Sequence, residues 1–415
     1  MRLKNSEHYL NKALEVIPEG SQTKSKMACR FPENFPKFIS RGMGSRVWDV
    51  DGNEYIDWVM GLGPIILGHA FPEVVEAVHL QSQRGNVFAL PGIEEQWLAE
   101  LLRLHIPCAE MSRFARNGGD ATMGAVRLAR AITGRNWVLY CGYHGGHDWF
   151  AHEIIPNNGT LIQKVVPFQY NDFRSIEDVT KDNSVACVIM EVPPEEPKEG
   201  YLQSVIDLCH ENGALFILDE IVTGLRYSMG GAQEKYGIVP DLACFSKALG
   251  NGFPVSAICG KKEYMEHFND IFFSTTFGGE LTGIVAAKTT VELCYELEVA
   301  DHIDRIGSAL RDGIKDMRYY EYLYNEGELE LKGNPARSIL DFKDITLKTV
   351  FLQEVIKHGV LMGVPIFPCY SHTMDDVNQT LYAINQALKY VWRHRTDSDR
   401  GLIGRPISMI GSPRR

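Results

Sequence analysis

The chain reads as an α/β protein: a large domain on a mainly parallel sheet flanked by helices, and a smaller α+β domain. Three observations predict this. Short continuous apolar runs alternate with helical patterns from about residue 70 to 298, as in strands buried on both faces. After about residue 300 the texture changes to helix, hairpin, helix and helix. With 415 residues, 45% hydrophobic and 23% charged, the chain is an ordinary globular protein with more than one core.

Each element has its own signal. Residues 6–17 place Leu10, Leu14 and Ile17 on one face and stop at Pro18 and Gly20, which predicts a helix. Arg46 to Asp57 predicts a hairpin that turns at Asp51-Gly52. Helices are predicted over 73–84, 93–104 and 121–132, the last ended by Gly134. The strand-like runs are 113–116, 137–141, 185–190, 214–218, 242–245 and 255–259. A helix over 301–317, a hairpin over 328–343 and helices over 346–358 and 374–392 follow. The expected divisions are 1–65, a helix and hairpin completing the small domain; 66–298, the large domain; 299–395, the small domain; and 396–415, a flexible Gly/Pro/Ser/Arg-rich tail.

Charge and cysteine usage exclude several roles. The balance of 42 Lys+Arg against 53 Asp+Glu gives a net charge of −11, with no basic footprint for nucleic acid or anionic membrane. The nine cysteines are scattered, with no CxxC pair and no zinc spacing, and predict reduced thiols in a cytoplasmic protein. The N-terminus lacks the pattern of a signal peptide, and no run reaches the length of a membrane span. No metal site is expected. His144 and His147 lie in a loop without a third ligand, and Asp49-Val-Asp-Gly-Asn53 lacks the later positions of a calcium loop.

Four segments carry candidate chemistry. The run 214–218 delivers Asp219 and Glu220 at its carboxyl end, where open α/β sheets bind ligands; the alternative is a pair of acids capping a helix. The run 242–245 ends in Ser246-Lys247 before a glycine-rich loop, which suits a Schiff-base lysine, although a lysine so placed is by itself more often a solvated one. Gly118 and Gly119 open a helix and could cradle a phosphate, or serve turn geometry alone. Tyr143 follows strand 137–141 in Gly142-Tyr-His-Gly-Gly-His-Asp148, and an aromatic there can lie flat on a planar ligand. A phosphate cradle, a flat aromatic, a carboxylate and a lysine at strand ends together suit one ligand, pyridoxal 5′-phosphate.

These stretches, with WDVDGNEYIDW, GPIILGH, NGGDATMGAVRLARAITGR, LDEIVTGLR, FSKALGNGFP and STTFGG, resemble a class III, fold-type I pyridoxal-phosphate aminotransferase. The resemblance runs from about residue 6 to 392 and falls within the glutamate-1-semialdehyde aminomutase-like branch. It implies that Lys247 binds the cofactor covalently and moves the proton, and that Asp219 pairs with the pyridinium nitrogen. It further implies Val222 and Tyr143 on the two ring faces, the Gly118 and Gly119 backbone on the phosphate, and Glu191 near the ring hydroxyl. Thr276 would reach in from a second subunit, giving a homodimer with shared active sites.

Departures from the aminomutase concern the substrate. Lys26 stands where that enzyme has a carboxylate-binding arginine and cannot make the same two-pronged contact. Leu62 replaces a tryptophan, and Gly363 to Pro368 lacks its C-terminal acid. These changes favour a transaminase acting between an amino donor and an aldehyde or ketone acceptor, and SQTKSK resembles the branch that aminates sugar-type carbonyls. The alternatives are the aminomutase itself and a non-catalytic relative.

Overall fold

The computed structural model describes residues 3–154, 164–182, 184–363 and 365–408. The chain forms two compact units: Met1–Leu62, Gly68–Ala70 and His302–Arg415 in one, Gly63–Leu67 and Phe71–Asp301 in the other.

The first unit begins with helix Lys4–Val16 and an antiparallel meander of β1 (Ile39–Met43), β2 (Arg46–Asp49) and β3 (Glu54–Asp57). Its turn folds around the Asp49 carboxylate, whose Oδ1 accepts from the amides of Asp51 and Asn53 at 2.9 and 2.8 Å. The acidic run 49–53 is therefore a turn that consumes its own carboxylate.

The second unit is built on seven strands: β4 (Met111–Ala115), β5 (Trp137–Cys141), β6 (Val165–Pro167), β7 (Val185–Glu191), β8 (Leu215–Asp219), β9 (Leu242–Phe245) and β10 (Ser256–Gly260). Their order is β4-β10-β9-β8-β7-β5-β6, and only β10 runs antiparallel to its neighbours. Central strands β7, β8 and β9 are apolar and buried almost throughout, as strands covered by helices on both faces must be. The consequence for function is one edge: the carboxyl ends of β4, β5, β7, β8 and β9 and the amino end of β10 all open on the same side.

The first unit resumes with the hairpin β11 (Leu329–Asn334) and β12 (Arg337–Phe342), then β13 (Val360–Leu361), which joins β3 in parallel. Trp58, Phe351 and Leu388 lie in its core, and the buried His372 ring stacks on Trp58 at 4.0 Å. Burial pulls His372 down to about 4, so it is neutral at physiological pH.

Residues 396–408 are hydrogen-bonded to the rest of their unit. They form a short helix, Ser398–Gly401, and then a strap whose amides at Ile403 and Ile407 donate to Gln353 Oε1 and Thr349 Oγ1, both at 3.0 Å. Ser408 closes the strap by donating to the Cys29 carbonyl and accepting from Arg30 Nη1. Such a segment carries no periodicity because its partners are side chains elsewhere in the chain. Residues 409–415 and Val364 lie outside the described residues. Among the described residues no helix is long and apolar enough to cross a membrane.

Candidate active site

Strand register brings most of the candidate residues to the shared edge. Asp219 ends β8; it is opposite Glu191 on β7 and opposite Cys244 on β9, three residues before Lys247. Cys141 ends β5 beside Met190 of β7, so the loop bearing Tyr143 leaves the sheet at the same level. Lysine, two acids and an aromatic thus leave four consecutive neighbouring strands at one edge.

The two adjacent acids of β8 have separate fates. Glu220 is 1% exposed and turns away, accepting from Thr223 Oγ1 and from the amides of Ala232 and Gln233, both at 2.9 Å. Burial raises its pKa against the pull of those hydrogen bonds. It serves the first-turn amides of the short helix Ala232–Lys235, whose N-cap is Gly231, and so is not the N-cap acid of a helix that follows the strand directly. Asp219 is 3% exposed, with Oδ1 accepting from Ile221 N–H at 3.1 Å and Oδ2 lying 2.7 Å from His144 Nδ1.

His144 takes a place that its sequence neighbourhood does not announce. It is fully buried, and Nε2 lies 3.1 Å from the Cys141 carbonyl, which can only accept; Nε2 therefore carries hydrogen. The other ring nitrogen, Nδ1, faces the Asp219 carboxyl across the 2.7 Å contact. The spacing of a histidine three residues beyond a strand end was visible, but its partner 75 positions away was not.

The loop after β5 is fastened to the helix Gly118–Thr133. Thr122 Oγ1 donates to the His144 carbonyl at 2.6 Å, and His147 Nε2 meets Asp120 Oδ1 at 3.0 Å. That helix is capped by Asn117, whose side chain accepts from Asp120 N–H, which is why it begins at Gly118 and not at 121. The amides of Gly118 and Gly119 are first-turn donors with no acceptor inside the helix. A Cβ on Gly118 would come within 2.6 Å of Ile221 Cδ1, and one on Gly119 within 2.9 Å of His147 Cδ2. Close approach, and not turn geometry, favours glycine at both positions, since neither has a positive φ.

The remaining candidates sit as follows. Tyr143 is 61% exposed, and its backbone N–H donates to Glu191 Oε1 at 3.1 Å. Val222 is half-buried in the turn after β8, and Lys247 is half-buried with a left-handed backbone, φ +42°. Thr276 is exposed in a loop that ends where Arg116 meets Glu280 at 2.7 Å, one residue before the Asn117 cap. Lys26 and Leu62 belong to the other unit; Lys26 is exposed, and Leu62 has φ +74°.

These features fit a flat, phosphate-bearing, cationic ring. Helix amides and their dipole stand ready for an anion, a buried carboxylate keeps acceptor capacity, and an aromatic is left uncovered.

Comparison with known proteins agrees. The family described as Aminotransferase class-III matches residues 30–388. The glutamate-1-semialdehyde 2,1-aminomutase of Natronomonas pharaonis is 32% identical over 94% of this chain and 100% of its own length. The 3-aminobutyryl-CoA aminotransferase of Cloacimonas acidaminovorans is 33% identical over 94% and 98%. Among solved structures, the FumI protein of Sphingopyxis sp. MTA144 in its PLP internal aldimine form has a TM-score of 0.87 at 28% identity, over 95% and 98% of the two chains. An omega-transaminase from Sphaerobacter thermophilus has a TM-score of 0.82 at 25% identity, over 94% and 98%.

Proposed function

We propose residue roles for this chain, which belongs to the class III aminotransferase family and is a pyridoxal-phosphate-dependent enzyme of fold type I. It moves an amino group from a donor to an aldehyde or ketone acceptor. The cofactor supplies an electron sink for the carbon that bears the transferred nitrogen.

Lys247 would hold the cofactor through its amine, and the same amine would move the proton at the carbon that bears the amino group. Asp219 holds a proton at the ring nitrogen, and the carboxylate is well suited because its burial leaves no water to compete. His144 positions that carboxylate through the 2.7 Å contact. The Gly118 and Gly119 amides would hold the phosphate, Tyr143 and Val222 would cover the ring, and Glu191 would serve its hydroxyl. The observation that carries the reading is the shared edge, where Asp219 is opposite Cys244 and Lys247 follows three residues later.

Thr276, exposed in its loop, would complete the phosphate site of a second subunit, so the enzyme works as a homodimer in the cytoplasm. Lys26 and Leu62 are assigned to substrate selection by the resemblance alone, and a sugar-type carbonyl is the acceptor class we favour. A second reading has support in the 32% identity to the aminomutase, which moves an amino group within one molecule.

The test is chemical. Borohydride should fix the cofactor to Lys247, and fixation to another lysine would overturn the assignment. A donor–acceptor screen following the cofactor's visible band separates the two readings, since an aminomutase converts its substrate with no second donor. Mixed dimers carrying Thr276→Ala should lose phosphate affinity in the partner's site; loss in the mutant's own site would refute sharing.

A further inference from the structure

The loop that carries Lys247 is strained and clasped from one side. Lys247 has φ +42°, a left-handed backbone that a residue with a Cβ enters only at a cost. Such strain persists where the surroundings over-determine it. The loop closes through Leu249 N–H to the Ser246 carbonyl at 2.9 Å, Asn251 N–H to the Ala248 carbonyl at 3.2 Å and Phe253 N–H to the Gly250 carbonyl at 2.9 Å. Ser246 Oγ adds a bond to the Val255 carbonyl at 2.8 Å.

Asn251 is where this loop meets another segment. It is also left-handed, φ +45°, and only 6% exposed. Its Oδ1 accepts two buried amides at once, those of Ile66 and Leu67, both at 3.0 Å. Both residues are fully buried, so no solvent could replace that acceptor. Gly252 meets the same segment, since a Cβ there would lie 2.7 Å from Ile65 Cδ1.

We propose that Asn251 is a positioning residue for Lys247: its carbonyl oxygen fixes the register of the lysine loop against segment 63–67 and thereby aims the amine. The position asks for two properties that few residues combine. Asparagine, aspartate and glycine tolerate the left-handed backbone, but only the first two carry the acceptor. The inference rests on the reading of Lys247 as the cofactor-holding amine.

The experiment compares Asn251→Gly, which keeps the backbone and deletes the acceptor, with Asn251→Asp, which keeps both, as holoenzymes. For Asn251→Gly we expect kcat to fall at least about tenfold with KM within about twofold, because a small misplacement of a catalytic group is costly. The pH midpoint of the cofactor's visible band should move, and the Ile66 and Leu67 amides should lose hydrogen-exchange protection. Asn251→Asp should restore all three. An unchanged band midpoint in Asn251→Gly, or equal damage in Asn251→Asp, would overturn the proposal. If Asn251→Gly does not fold, the wild-type holoenzyme decides: Ile66, Leu67, Leu249 and Phe253 amides should exchange within about tenfold of one another, and a hundredfold spread rejects the coupling. Failure of the underlying reading is seen separately, as borohydride fixation at a lysine other than 247 while the exchange result stands.

Discussion

Two buried aspartates stand at opposite edges of the seven-stranded sheet, and each faces a histidine. At the amino edge Asp241, fully buried, has its acceptors filled by the chain: Phe216 N–H at 2.8 Å, Lys261 Nζ at 2.9 Å and His210 Nε2 at 3.0 Å. At the carboxyl edge Asp219 has Ile221 N–H and His144, and capacity to spare. A saturated carboxylate is a clasp that ties strand to helix. One that is equally buried yet unsaturated is set for a donor that the fold does not provide. Burial and a histidine partner are common to both; the count of donors separates structure from chemistry.

Substitutions at the two edges should therefore separate activity from stability. The largest effect is expected for Lys247→Ala, with kcat lowered about a thousandfold or more and the urea midpoint unchanged. A variant retaining a tenth of the wild-type rate would remove this edge from the chemistry. Asp219→Asn should cost about a hundredfold in kcat, again with little loss of stability. Its mirror is Asp241→Asn, expected to cost about 2 kcal/mol in urea unfolding, through weakened charge-assisted bonds, while kcat stays within about twofold. Should Asp241→Asn impair turnover as much as Asp219→Asn, the division between edges fails.

His144→Gln sharpens the carboxyl side. We expect about a tenfold fall in kcat and a shifted cofactor band, since the partner of Asp219 is altered and the carboxylate itself remains. A normal band would show that His144 only fills space. The smallest effect is a pH dependence of the amino edge. Burial lowers the Lys261 pKa, but the hydrogen bond and charge of Asp241 outweigh it, so the folded value lies above the ordinary 10.5. The clasp's contribution is thus complete below pH 10.5 and lost as pH rises through the folded value. Unfolding midpoints measured on either side of that range should fall at the alkaline end in the wild type and less so in Lys261→Met.

Much of the architecture was legible from residues alone. Runs such as VACVIM and ALFIL are too short and apolar to be anything but covered strands once helical patterns flank them. The three-residue strand β6 is not legible in the sequence, because it is too short to show a period. The pair Asp219-Glu220 shows the limit at the site. Sequence put two acids at one strand end, and nothing local said which would cap a helix and which would stay at the edge. His144 and His147 are neighbours in sequence, yet the two face different carboxylates, Asp219 and Asp120.

The amino-acid sequence by itself determined the class of fold, the strand-end positions of the lysine and the acid, and the glycines that open the cradle helix. Those follow from local forces: periodic burial, capping and turn stereochemistry act over a few residues and leave a pattern in them. Tertiary structure alone decided the partners. That Asp219 meets His144, that Asp241 is saturated, and that Asn251 takes the amides of Ile66 and Leu67 all depend on groups brought together across long stretches of chain. Hydrogen bonds between such groups form only after the sheet has set their register, so no local pattern encodes them.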